Sequence, residues 1–160
     1  MIIEPLEPIE FFDDVFSRST LLTETKIWLG TPFHPHGNKL QVGVDCVNFV
    51  AEVYKACAVF DDFDPPKYTM DGGSHLPKSQ VHGWLENHPA FLKLPGKEVG
   101  DAKLGDLVCF TIGGVAHHVG IVQEAPLFAH VMRGYSVQIH TLFDSTWGRR
   151  LEAIYRPVET

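Results

Sequence analysis

Gly43-Val44-Asp45-Cys46-Val47-Asn48-Phe49-Val50-Ala51-Glu52-Val53-Tyr54-Lys55-Ala56-Cys57 is the stretch from which the rest of the chain can be read. Cys46, Phe49, Val50, Val53, Tyr54 and Cys57 recur at i, i+3, i+4, i+7, i+8 and i+11, which is one face of an α-helix. Asp45 stands where an N-cap belongs, its carboxylate able to accept from the orphan N–H groups of the first turn. Cys46 is thereby set at the head of a helix and turned inward. A core cysteine would explain that placement alone, because free cysteine packs as a small hydrophobe.

Upstream, 31–43 holds Pro32, Pro35, Gly37 and Gly43 and reads as a loop delivering the chain to Cys46. Apolar positions in 11–29, closed by Gly30, predict one or two helices. Downstream, 60–78 concentrates Asp, Pro and Gly and reads as an irregular connection able to line a groove or simply to cross the surface. A further helix is expected over 79–91. After Pro95 the runs 106–112, 117–123, 127–132, 136–140 and 153–156 read as four or five short antiparallel strands. Helices first and a sheet afterwards predict an α+β domain with one helix packed on the sheet.

The length of 160 residues fits one domain, 1–160, with an N-terminal helical segment over about 1–30 and a core over about 31–157. Thirteen Lys and Arg against twenty Asp and Glu give a net charge of -7, which disfavours nucleic acid and anionic membranes as partners. No apolar run approaches the roughly 20 residues of a membrane span. Cys46, Cys57 and Cys109 form no CxxC pair and leave an odd one, so a reduced compartment suits them. The opening MIIEPLEPIEFFDD carries no basic region ahead of an apolar core, so the expectation is a protein that is cytoplasmic as translated.

The second informative segment is His117-His118-Val119-Gly120-Ile121-Val122. Strand alternation puts His118, Gly120 and Val122 on one face and His117, Val119 and Ile121 on the other, so only one histidine can look at the helix, and His118 is taken as that one. A hairpin folded about Glu124 sets His118 opposite His130 and Gly120 opposite Phe128, the missing side chain at Gly120 leaving space for a helix end. A free thiol is only a few per cent thiolate at pH 7, so a cysteine nucleophile gains from an imidazole and a helix N-terminus. The base needs a third group to fix its tautomer, which His130 could supply. The Cys46 backbone N–H is the first candidate oxyanion donor, with His34, His36 and Asn38 as candidates for the second.

Trp28-Leu29-Gly30-Thr31-Pro32-Phe33, Gly43-Val44-Asp45-Cys46-Val47-Asn48-Phe49-Val50, Leu104-Gly105-Asp106-Leu107-Val108, His118-Val119-Gly120-Ile121-Val122 and Phe128-Ala129-His130 resemble, in that order, the NlpC/P60 family of cell-wall cysteine peptidases. The resemblance implies a papain-like α+β fold, an antiparallel sheet with the nucleophile helix against it, and hydrolysis of the peptide stems of peptidoglycan near a γ-D-glutamyl-diamino acid bond. It implies a triad of Cys46 as nucleophile, His118 as base and His130 as orienter, with Asp45, Asn48, His36 and Phe33 against substrate and no cofactor or metal. The compact length and the closing Arg150-Leu151 to Ile154-Tyr155-Arg156-Pro157 resemble the short phage-associated branch, which implies phage tail components as partners and delivery to the wall by phage or lysis. Two positions depart from the family's pattern. Val47 and Asn48 replace the usual Ser-Gly after the cysteine, so Asn48 either narrows the site or donates to substrate, and Phe33 lacks the hydroxyl of the usual tyrosine.

Other readings compete. His34, His36, Cys46, His118 and His130 are zinc-competent if they converge. The fold could serve as a binding or phage-structural module without turnover. Acyl transfer on lipids would want an apolar membrane-facing segment, and none is visible. Cys57 and Cys109 read as packing, and His75, His82, His88 and His140 as solvated.

Overall fold

The computed structural model describes residues 6–61, 80–112 and 115–160, with 80–82 and 115–117 described by their backbone alone. The first helix, α1, runs Val15–Trp28 and is capped by Asp14, which accepts from the Ser17 N–H at 2.8 Å. It is a single helix. Ahead of it Glu10 is bridged to Val158, and the Phe11 N–H donates to the Pro157 carbonyl at 2.9 Å.

The loop that follows is more ordered than its prolines suggest. Strands β1 (Asn38–Lys39) and β2 (Gly43–Val44) pair antiparallel, and the Gly30 and Phe33 N–H groups donate to the Val137 and Tyr135 carbonyls. The backbones here nearly touch: a Cβ on Gly37 would lie 2.6 Å from the Gly43 carbonyl oxygen. Only glycine fits such an approach.

Helix α2 (Cys46–Ala56) begins where its N-cap predicts and ends at Cys57. Its buried stripe is wider than the spacing suggested, because Val47 and Ala51 line a small cavity with Trp84, Leu85 and Phe91, while on α1 the Trp28 ring meets that of Phe49 at 6.4 Å. Phe49, Val53 and Tyr54 are 0% exposed, each burial contributing about 1.5–3 kcal/mol.

Helix α3 (Gln80–Glu86) is shorter than the predicted 79–91, because Phe91–Lys93 forms β3 on the sheet edge. The antiparallel sheet has the order β3-β8-β4-β5-β6-β7, with β4 Leu107–Ile112, β5 Val115–Val122, β6 Leu127–His130, β7 Gln138–Thr141 and β8 Leu151–Pro157. Among the described residues this sheet has six strands, where four or five were expected. A short helix, α4 (Ser145–Arg150), was not anticipated, since six residues show no helical period.

The sheet is covered on both faces rather than by one helix. Cys109, Val119, Ile121 and Ala129 join the cluster of α1 and α2, whereas Val108, Phe110, Val122 and Phe128 join a second cluster with Trp147 of α4. The Leu104-Gly105-Asp106 turn ties the pieces together: Tyr54 Oη donates to the Gly105 carbonyl at 2.8 Å, and Asp106 receives the Arg156 guanidinium at 2.8 and 3.0 Å. Among the described residues no helix is long and apolar enough to cross a membrane. The 62–78 part of the predicted connection, with His75, lies outside the described residues, as does residue 79 at the head of the predicted helix.

Candidate active site

Cys46 is the first residue of α2 and is 8% exposed. Its thiol meets the backbone amides of Val47 and of Cys46 itself, together with the amide of Val119 on β5. This last contact is possible because β6 pairs with β5 only at Ile121–Ala129 and Val122–Phe128, leaving the β5 edge near Val119 to the head of α2. The helix start thus meets the strand at its edge, one residue from His118.

His118 and His130 are 4% and 0% exposed, and His118 Nε2 lies 2.8 Å from His130 Nδ1. The pairing expected from the sequence forms, by a different register. The partners Ile121–Ala129 and Val122–Phe128 centre the turn on Ala125 rather than Glu124. Pro126 has no N–H to give a ladder and stays in the turn, closed by the Leu127 N–H donating to the Glu124 carbonyl at 2.9 Å. His118 and His130 are therefore diagonal neighbours. The offset is even, so they keep a common face.

That face is not the one turned to α2. Val119 and Ile121 pack on the helix, while the His118 ring stands 5.8 Å from Phe110 and 5.4 Å from Trp147, in the second cluster. Gly120 serves β6 instead of a helix end: a Cβ there would lie 2.8 Å from the Ala129 oxygen, 3.1 Å from the Phe128 ring and 3.2 Å from His130 Cβ. The side chain of His117 lies outside the described residues.

Two site residues were not foreseen. His140 on β7, read from sequence as solvated, is half-buried with Nδ1 2.6 Å from His130 Nε2. Trp147 packs over the row, its ring 5.4, 4.6 and 6.1 Å from those of His118, His130 and His140. The signal for His140 was present: Gly134, at φ 86, centres the β6–β7 turn and sets Phe128 opposite His140.

The electrostatics differ from those of an activated thiolate. Burial, with the Asp45 carboxylate beside it, pushes the Cys46 thiol up to about 12, and the three amides offset only part of this. Burial, with His140 nearby, pushes His130 down to about 3, so His130 stays neutral through the ordinary pH range. Burial also pushes Cys57 up to about 12 and Cys109 higher still. Burial thus favours the neutral form of both the Cys46 thiol and the His130 imidazole.

Asp45 is 0% exposed, and its oxygens accept from the Asn48 N–H at 2.8 Å and the His36 N–H at 2.9 Å. It binds the loop to the helix. His36 lends this contact through its backbone, at φ 57, and its side chain is exposed; Asn48 and Phe33 are half-buried. His34 is exposed and His88 packs on Trp84, Phe60 and Phe91, so neither joins the imidazole row. Among the described residues no group of three or more His, Cys, Asp or Glu side chains is arranged to hold a metal ion.

Comparison with known proteins follows the same lines. Residues 30–156 match the model of the NlpC/P60 family. An NLP/P60-family protein of Staphylococcus aureus, described as similar to lipoprotein, is 19% identical with a TM-score of 0.67, over 99% of this chain and 46% of that one. The NlpC/p60 domain of the peptidoglycan hydrolase SagA is 21% identical with a TM-score of 0.57, over 89% and 98%. The peptidoglycan hydrolase RipB of Mycobacterium tuberculosis is 15% identical with a TM-score of 0.58, over 91% and 66%. The chain thus spans about half the length of the Staphylococcus aureus protein and nearly all of the SagA domain. No curated protein matches. With the family model covering most of its length and an α+β fold shared with these structures, the chain belongs to the NlpC/P60 family.

Proposed function

We propose that this protein is a cysteine peptidase that hydrolyses the peptide stems of peptidoglycan, near a γ-D-glutamyl-diamino acid bond. The observation that carries the reading is the buried His118–His130 contact of 2.8 Å, one residue along β5 from the amide that meets the Cys46 thiol. Family membership supports the substrate, since two of the similar structures are described as peptidoglycan hydrolases.

In this mechanism Cys46 Sγ attacks the scissile carbonyl as His118 takes the thiol proton, so the thiolate forms only in the attack. His130 holds the His118 ring. The tetrahedral oxyanion draws on the backbone N–H of Cys46 at the head of α2, the amine leaves with the proton from His118, and water then hydrolyses the thioester. Asn48, Phe33 and His36 are assigned to substrate, with Asp45 holding their loop against the helix. Residues 1–160 act as one domain, on murein fragments met in the cytoplasm or on wall reached with phage tail components or at lysis.

Incubation of the protein with defined murein stem peptides, followed by mass spectrometry, tests the reading. Cleavage is expected, and is expected to vanish in Cys46→Ala and in His118→Ala while both variants keep their folded circular dichroism. Undiminished cleavage by Cys46→Ala would overturn the cysteine mechanism.

A further inference from the structure

The imidazole row does not stop at His130. His118 Nε2 meets His130 Nδ1 at 2.8 Å, and His130 Nε2 meets His140 Nδ1 at 2.6 Å, so both nitrogens of the buried middle ring are engaged. A neutral imidazole carries one proton, so each link must run from an N–H to a bare nitrogen. The chain therefore has two arrangements when all three rings are neutral. In one, His118 Nε2–H donates to His130 and His130 Nε2–H donates to His140, leaving His118 Nδ1 bare. In the other, both links are reversed and His118 Nδ1 already carries a proton.

We propose that His140 is a positioning residue that sets the direction of this chain, and that its protonation reverses the chain and disables His118 as a base. The inference rests on the peptidase reading for its effect on catalysis, and on geometry alone for the coupling. With His140 neutral and accepting at Nδ1, His130 holds its proton on Nε2, and His118 keeps Nδ1 bare to take the thiol proton. When the row gains one proton and its charge rests on His140, Nδ1–H of that ring donates to His130 Nε2. His130, buried and neutral, must then carry its proton on Nδ1, and His118 carries its own on Nδ1. One proton enters at His118 Nδ1, His118 and His130 each pass their Nε2 proton to the next ring, and the positive charge ends on His140, which is half-buried, rather than on His118 and His130, which are 4% and 0% exposed.

Charge is cheapest at the wet end of the row. Among the described residues the rings facing His140 are His130 and Phe128 from β6 and Trp147 from α4, and of these His130 alone is titratable. Burial and its neighbour His140 hold His130 far below neutral pH, which prevents the charge from stopping midway.

The test is a two-dimensional imidazole ¹⁵N spectrum of the intact protein between about pH 5 and 8. The expected result is a neutral His130 whose proton moves from Nε2 to Nδ1 as His140 charges. A His130 tautomer that stays fixed through the His140 titration would overturn the proposal. His140→Asn keeps an acceptor for His130 but cannot charge, so its kcat/KM is expected to hold to lower pH than the native protein's. His140→Phe removes the acceptor and is expected to lower kcat at neutral pH on the order of tenfold or more. An acid limb identical in His140→Asn and the native protein would also overturn the proposal. The tautomer spectrum needs no substrate, so failure to cleave murein peptides would count against the peptidase reading and leave the spectrum to decide the coupling.

Discussion

Alkylation of Cys46 by iodoacetamide measures how far the resting site is from a thiolate. The perturbation is the fold itself: the same cysteine is compared in native protein and in protein unfolded by urea at the same pH. Burial and Asp45 raise the thiol from 9.0 to about 12, three pH units, which cuts the thiolate fraction about a thousandfold near neutral pH. A more basic thiolate is a better nucleophile, and with a Brønsted slope of about 0.4–0.5 this returns a factor of roughly 15–30. The net expectation is alkylation about 30–60 times slower in the native protein, before any steric hindrance. The rate is read by quenching at intervals and mapping the Cys46 peptide by mass spectrometry, which separates it from Cys57 and Cys109. The native rate should climb about tenfold per pH unit between about pH 6 and 9, because the raised pKa lies above that window. A plateau near neutral pH, or a native rate above the unfolded one, would refute the reasoning and establish a standing thiolate–imidazolium pair.

Two further substitutions probe the frame around the site. Gly120→Ala places a Cβ 2.8 Å from the Ala129 oxygen and 3.2 Å from His130 Cβ, so it should cost about 1–3 kcal/mol in urea denaturation and lower activity as His130 moves from His118; native values of both would contradict the packing. Arg156→Met strands Asp106, which is 1% exposed, and should cost about 3–5 kcal/mol at neutral pH, seen as a Tm lower by roughly 6–20 °C. Loss of the guanidinium raises the folded pKa of Asp106 further above its unfolded value, so the deficit should shrink as pH falls toward about 4; a deficit independent of pH would sink this account.

What the sequence disclosed and what it hid divide along the range of the interactions. Asp45 and the stripe from Cys46 to Tyr54 act within a few residues, and α2 is found where they put it. The strands β4 to β7 follow alternation and are found close to their predicted places. Pairing register depends on turn geometry, and Pro126 moved it by two in the β5–β6 sum; because the shift is even, His118 and His130 still share a face. His140 was misjudged for the same reason, since its place beside His130 is set by the β6–β7 register and not by its neighbours in sequence. Elements α4, β1 and β2 are too short to carry a period, and so is the three-residue β3, which the predicted helix touches only at Phe91. The rise of the Cys46 pKa was not legible, because it comes from the burial of an assembled core.

Because α2 meets β5 at its edge, the nucleophile and the base are furnished by opposite sides of one sheet. Cys46 belongs to the core built with α1 and α2, and the imidazole row belongs to the core under Trp147. Each side can be repacked without rebuilding the other. Residues around Trp147, Phe110 and Phe128 form a dial for proton affinity that leaves the thiol's seat untouched, and those around Phe49 and Val53 tune the thiol while sparing the base. Directed evolution of pH response in this fold would therefore search the α4 side first.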